Sequence, residues 1–219
     1  MRREITGFSN PLVKRVRSLR EKKHRKREGL FLAEGLRILT EAREAGFLPE
    51  MLFRCSDRDA HSLEIALEGE VLAAGGDVIE TSADILSKLS GKDNPQTVIG
   101  VYRETATPLE SLDRNSAQIW LVAQAMRDPG NLGTMLRTCD AVGAGGLILV
   151  DQCVDPFSVE AVRASMGAVF TVPLAQADPL LTQMPAMSSA ISCVSDEAPG
   201  RANMEVFATR GESLPKMRR

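Results

Sequence analysis

Between Ile119 and Val172 short apolar runs alternate with segments whose apolar residues recur at helical spacing, an order that few architectures accept. A strand is predicted over 119–125, a helix over 132–142, a strand over 146–150, a helix over 157–166 and a strand over 168–172. This βαβαβ succession implies a parallel sheet with right-handed crossovers. Gly143 and Gly167 stand where the two helices should stop, and Asp155-Pro156 has the form of a helix start.

The stretch Asp128-Pro-Gly-Asn131-Leu-Gly133-Thr-Met-Leu-Arg137-Thr138 follows the first of these strands. A turn on Pro129 and Gly130 should carry Asn131 to the mouth of a helix, with Gly133 letting a ligand or a backbone come close. Arg137 lies four residues past Gly133 and shares its helix face. An arginine aimed at the top of a parallel strand suits a phosphate, a nucleotide or a hydroxyl. A second loop, Val162-Arg163-Ala-Ser165-Met-Gly167-Ala168, has small residues that admit another chain segment or a flat ligand. Taken singly, Arg137 reads as a surface ion-pair partner, and Ser165 with Gly167 as a tight helix-to-strand turn. Together, at the strand ends of one sheet, the two loops make a site.

Charge is distributed unevenly. Residues 1–27 hold eleven Lys and Arg against two Glu, although the whole chain has a net charge of −2. Asn10-Pro11 predicts a helix start, with Asn as cap and Pro at the first helical position, and Leu12, Val16 and Leu19 form a narrow apolar stripe. Lys14, Arg15, Arg17, Arg20, Lys22, Lys23, Arg25, Lys26 and Arg27 are accompanied by one acid, Glu21. A solvated charged helix is the plain alternative, but so many cations favour phosphate binding with a steep salt dependence. Residues 1–27 therefore read as a basic arm. Residues 28–103 read as a compact α/β unit with strands at 29–33, 51–55, 78–79 and 97–103 and helices at 34–45, 62–74 and 83–89. Residues 104–116, poor in apolar side chains, read as a linker to a second domain over 117–219.

Several classes are disfavoured. With 43% hydrophobic and 26% charged residues the chain is globular in composition. No apolar run approaches the ~20 residues of a membrane span, and the N-terminus lacks the apolar core of a signal peptide. The four cysteines are scattered, far from His24 and His61, so neither a zinc site nor a disulfide framework is expected and a cytoplasmic setting is the simple reading. Gly143-Ala-Gly145-Gly146 precedes a strand instead of following one, which disfavours a dinucleotide-binding oxidoreductase. There is no phosphate loop, and neither histidine has an adjacent nucleophile.

Asn131-x-Gly133-x-x-x-Arg137-Thr138, followed by the loop from Val162 to Ala168 and by Val172-Pro173, resembles motifs one and two of the SpoU (TrmH-like) RNA 2′-O-ribose methyltransferases. These belong to the knotted methyltransferase superfamily. Phe31-Leu-Ala-Glu34-Gly35-x-Arg37 and the strand at 97–103 resemble that family's N-terminal RNA-binding domain, so the likeness covers roughly residues 4–174. It implies an α/β protein: a small RNA-binding α/β domain, then a parallel-sheet methyltransferase domain of trefoil-knot type. It also implies S-adenosylmethionine as methyl donor, a ribose 2′-hydroxyl of ribosomal or transfer RNA as acceptor, and a homodimer. By position, Arg137 would orient the hydroxyl or hold the adjacent phosphate, and Asn131 would fix the motif-one loop. Ser165 and Gly167 would shape the second loop and the dimer contact. A guanidinium keeps its proton and is a poor general base, so proton removal would fall to RNA or water.

After Pro173 the pattern fades. Ile191-Ser-Cys-Val194 and Met204-Glu-Val-Phe207 are candidate edge strands, and Pro215-Lys-Met-Arg-Arg219 reads as a frayed tail. The family's third motif is not legible in the 46 residues beyond Pro173, and no residue is assigned to the cofactor. The expectation is a truncated or frame-shifted product, with a divergent, non-catalytic RNA-binding protein as the alternative. Weak S-adenosylmethionine binding is expected in either case.

Overall fold

The computed structural model describes residues 1–113 and 116–177, and residues 203–208 as backbone. Its first half is a mixed sheet of five strands, β1 (Arg2–Ile5), β2 (Leu30–Glu34), β3 (Met51–Cys55), β4 (Asp77–Thr81) and β5 (Val98–Arg103). They lie in the order β1-β4-β3-β5-β2. β1, β4 and β3 run parallel, and β5 pairs antiparallel with both β3 and β2. Five helices accompany them: α1 (Pro11–Ser18), α2 (Lys22–Glu28), α3 (Leu36–Glu44), α4 (Ser62–Ala73) and α5 (Ala83–Ser90).

Strand side chains alternate between the two faces, and both faces are apolar. Leu30, Leu32, Phe53, Ile79, Ile99 and Val101 meet Val13, Val16 and Leu19 together with Ile85, Leu86 and Leu89 of α5. Phe31, Leu52, Val78 and Tyr102 turn to the other face, against Leu39 of α3 and Leu67 and Val71 of α4. Residues 1–27, expected as an arm, are thus built into the domain. β1 adds to β4 through the backbone, and Asn10 Oδ1 caps α1 by accepting the Leu12 N–H at 2.8 Å.

The second half carries β6 (Ile119–Gln124), β7 (Leu147–Val150), β8 (Leu174–Ala177) and β9 (Asn203–Ala208), with α6 (Pro129–Ala141), α7 (Val159–Ser165) and α8 (Ala168–Thr171). β6, β7 and β8 are parallel in the order β8-β7-β6, and β9 joins the free edge of β6 antiparallel. Of the two candidate edge strands, 204–207 falls within β9. Segment 191–194 and the expected frayed tail at 215–219 lie outside the described residues.

One element differs in kind from its expectation. Residues 168–172 were expected as a strand, but 168–171 form the short helix α8 and the strand begins beyond Pro173. The reason lies in the turn before it. Met166 and Gly167 both adopt left-handed backbone, with φ of 54° and 106°, which reverses the chain and drives Val169 and Phe170 into the core. Tertiary burial here overrides the β preference of Val-Phe-Thr-Val. Residues 104–116, expected as a linker, are tied to the second domain where described. The Thr107 N–H donates to the Leu174 carbonyl at 2.7 Å, and Leu109–Ser111 form a single 3₁₀ turn.

The two halves share a core. Phe31 of β2 lies 5.0 Å from Phe157 and 5.7 Å from Phe170, and Tyr102 of β5 lies 4.8 Å from Phe170, measured between ring centroids. β2 is an edge strand with all five residues buried, because α7 packs on it. Beside the rings, Arg25 of α2 is 2% exposed. Its Nε and Nη2 donate to Asp155 Oδ2 at 3.1 and 2.6 Å, and Nη1 donates to the carbonyls of Leu19 and Arg20. A buried ion pair so fully hydrogen-bonded is costly to break, by about 3–5 kcal/mol when one partner is removed.

Glu104 sits at the same seam. Burial, and then the nearby Asp155 carboxylate, push its carboxyl above the usual range against the opposing pull of Arg25 and Lys26. Between the ordinary and the raised value the folded chain keeps a proton that the unfolded chain has lost, so stability falls as pH rises through that interval. Glu104→Gln should raise the melting temperature at neutral pH and flatten that decline. Melting curves from pH 4 to 8 test this, and an unchanged or steeper decline would refute it.

Candidate functional site

α6 begins earlier than the sequence suggested. Asp128 is its cap, accepting the Asn131 N–H on Oδ1 at 2.6 Å, and Pro129 occupies the first helical position. Asn131 therefore lies inside the first turn, exposed, and among the described residues its side chain makes no hydrogen bond. Arg137 follows six residues later on a different side of the helix, so the structure does not bring these two predicted residues together. Nor does Arg137 lie at the strand end, since eight residues of helix past Pro129 carry it about 12 Å down the axis.

Arg137 instead lines a cleft of about 510 Å³ between the domains. Thr134, Thr138 and Asp140 of α6 contribute to it, as do Ser165 and Gly167 of the second loop and Arg37 and Glu41 of α3. Residues of the two loops thus line one cleft, away from the strand ends, with a wall from the first domain that residue spacing does not announce. In the sequence Arg37 stands out only as part of a family motif. Its placement follows from Gly35, which turns the chain from β2 into α3 at the seam. Neither Arg37 nor Arg137 makes an ion pair or hydrogen bond among the described residues, whereas Asp140 Oδ1 accepts the Thr171 hydroxyl at 2.6 Å.

Two glycines set the cleft's dimensions. A Cβ on Gly133 would stand 2.3 Å from Ala164 Cβ and 2.7 Å from the Ser165 nitrogen, so Gly133 admits the backbone of α7 and not a ligand. A Cβ on Gly167, at its positive φ, would stand 2.7 Å from Glu41 Cβ of the first domain. Ser165 is fully buried, and its hydroxyl donates to the Val162 carbonyl at 2.7 Å. Its role in the described structure is to close the end of α7.

The nine basic residues divide by environment. On α1, Lys14, Arg15 and Arg17 project from the face opposite Val13 and Val16. Arg15 Nε pairs with Glu28 at 2.6 Å, and Arg27 pairs with the same carboxylate at 3.1 Å. Burial works against ionisation of Glu28, but hydrogen bonds from these two arginines hold its carboxyl below the usual range. Lys23 pairs with Glu21 at 3.2 Å, and the Arg20 guanidinium lies against Gly91. Arg25, expected from the sequence to bind RNA, is instead buried, with its guanidinium held by Asp155 and by the carbonyls of Leu19 and Arg20. Lys22 and Lys26 face a second cleft, at the C-terminal ends of the parallel strands.

Comparison with known proteins settles the family. Residues 118–209 match the SpoU rRNA Methylase family model, and residues 10–100 match the MRM3-like substrate binding domain. An AdoMet-bound rRNA methyltransferase of Sinorhizobium meliloti superposes with a TM-score of 0.75 at 37% identity, over 83% of this chain and 67% of that one. The chain belongs to the SpoU rRNA methylase family. It is 33% identical to an uncharacterized tRNA/rRNA methyltransferase of Synechocystis, over 78% of this chain and 61% of that protein. It is 31% identical to a 23S rRNA (guanosine(2553)-2'-O)-methyltransferase of Bacillus subtilis, over 78% of this chain and 64% of that protein. The chain therefore spans a little over three fifths of the length of these curated relatives.

The described residues do not themselves form a cradle for the S-adenosylmethionine that the family implies. The buried polar atoms left without partners belong to residues outside both clefts. The linings are mostly polar, unlike the largely apolar walls usual for a small organic ligand.

Gly133→Ala should destabilise the protein by about 1–3 kcal/mol through overpacking against α7. Gly69→Ala, in the interior of α4 with nothing near its Cβ position, should stabilise it by about 0.5–1 kcal/mol. Urea unfolding of the two variants checks the contrast, and equal effects would contradict the close approach.

Proposed function

We propose that this SpoU-family chain acts in S-adenosylmethionine-dependent methylation of a ribose 2′-hydroxyl in ribosomal or transfer RNA, with its described residues supplying the RNA side of the site. The observation that carries the reading is that Arg37 and Arg137, two guanidiniums without partners among the described residues, line the same cleft together with residues of both loops. A guanidinium fork matches phosphate oxygens in shape and charge, and it can fix a phosphodiester so that the neighbouring ribose hydroxyl is presented in one orientation. Positioning of this kind can supply much of the rate of a displacement reaction. Proton removal is assigned to solvent or RNA, because guanidinium holds its own proton.

The exposed cations of α1 and α2 provide a second region of contact with the RNA backbone. A homodimer belongs to the same proposal, on the family resemblance alone, and sedimentation reads it directly. A cytoplasmic setting is supported by Cys55, Cys139 and Cys153, all of which are free thiols.

Methyl transfer from labelled S-adenosylmethionine to bulk ribosomal and transfer RNA tests the reading. Arg137→Ala should lower the rate by about 10²-fold, as expected for removal of a preorganised electrostatic contact, with the fold intact because the side chain is exposed. Unchanged activity in that variant would remove Arg137 from the site. RNA binding without methyl transfer would instead identify a non-catalytic RNA-binding protein on the same scaffold.

A further inference from the structure

The cleft at the C-terminal ends of the parallel strands encloses about 560 Å³ and is separate in its lining from the motif-one cleft. Lys22 and Lys26 of α2 form one wall, one helical turn apart and so on one face. Arg127, leaving β6, stands among the other lining residues with Asp151 and Gln152, leaving β7, and Gln176 of β8. None of the three cations makes an ion pair among the described residues. This contrasts with Arg15, Lys23, Arg25 and Arg27 of the same basic stretch, all of which are paired. Three positive charges face one negative charge, and the Asp151 carboxylate already accepts the Gln152 N–H at 2.8 Å. The side-chain amides of Gln152 and Gln176 carry no hydrogen bond among the described residues.

The frame of this cleft is fixed at some cost. Ala125 and Asp151, just beyond β6 and β7, are two of the three described non-glycine residues with positive φ, at 52° and 64°. Each left-handed turn holds the following residues, Arg127 and Gln152, at the mouth of the sheet, and strain of this kind concentrates where a ligand is bound. On the opposite side, the buried Arg25–Asp155 pair pins α2 to the loop that follows β7. α2 is therefore presented to the cleft as a fixed wall and not as a mobile tail.

We propose that this cleft is an anchoring site for one nucleotide of single-stranded RNA. Lys22, Lys26 and Arg127 hold the phosphate, and the Gln152 and Gln176 amides meet the base edge. Its volume is within the ~300–1,000 Å³ typical of small-ligand sites. Unpaired single-stranded bases offer amides their Watson–Crick and Hoogsteen edges, which pairing and the deep, narrow major groove of an A-form helix withhold. The inference rests on the proposed RNA function and locates, away from the motif-one cleft, a contact that would set the register of the substrate.

The test uses the full chain and a fluorescently labelled single-stranded ribosomal RNA fragment, with anisotropy measured between 50 and 200 mM salt. Replacing Lys22, Lys26 and Arg127 together by Gln should weaken binding about tenfold and reduce the log–log salt slope by about 0.7 for each phosphate that the protein no longer neutralises. The combined Gln152→Ala and Gln176→Ala variant should weaken binding several-fold with the slope unchanged. All five side chains are exposed, so melting temperatures should stay at the wild-type value. If wild type binds RNA and the cation variant keeps its affinity and slope, this site is refuted while the RNA function stands. If only the glutamine variant is without effect, the base contact is refuted. If wild type itself fails to bind RNA, the proposed function falls, and this inference with it.

Discussion

The packing of Phe31 and Tyr102 against Phe157 and Phe170 is the contact on which the rest of the molecule depends. Phe31 and Tyr102 come from the sheet of the first domain, Phe157 and Phe170 from the turn before α7 and from α8 of the second, and their burial turns two modest cores into one. Removal of a buried phenylalanine typically costs about 3–5 kcal/mol, a large part of the stability of a protein this size. The Arg25–Asp155 pair adds direction to the contact. It fixes α2 over the loop after β7, whereas ring packing alone would tolerate some sliding.

Both clefts are consequences of that seam. The motif-one cleft exists because α3 approaches the second loop closely enough to require glycine at 167, and because α6 and α7 touch through Gly133. Arg37 and Arg137 are separated by one hundred residues of chain, yet they share a cavity because β2, which precedes α3, is the strand on which α7 packs. The strand-end cleft forms on the same principle, with α2 from the first domain closing a space left by the loops of the second. An RNA laid across the seam would meet residues of both domains.

Much of this was legible in the sequence, and the exceptions have physical causes. β6 and β7 showed through because they are continuous apolar runs, the signature of strands buried on both sides, whereas Leu-Ala-Gln-Ala of β8 is not. β1 did not show, because Arg-Arg-Glu-Ile has no apolar period. It is held by backbone pairing to β4 and by ion pairs of Arg2 with Glu68 and Arg3 with Asp77, partners 66 and 74 residues away. Residues 168–171 have strand propensity and become helix because the seam buries Val169 and Phe170. Asn131 was expected at the mouth of α6, but Asp128 as cap with Pro129 at the first helical position starts the helix earlier. Arg25 was indistinguishable from its basic neighbours, since only the fold supplies Asp155. The pairing of motifs one and two was readable from type and spacing, whereas the contribution of Arg37 required the seam.

The chain has one tryptophan and one tyrosine, Trp120 in β6 of the second domain and Tyr102 in β5 of the first, where its ring belongs to the contact itself. Urea unfolding of wild type and of Phe170→Ala, followed separately by tryptophan fluorescence and tyrosine absorbance, therefore has one reporter in each domain. Coincident transitions in wild type, both displaced to lower urea by the substitution, are the predicted result. Two separate transitions in wild type, or a shift of only one on substitution, would contradict a shared core and with it the account of both clefts.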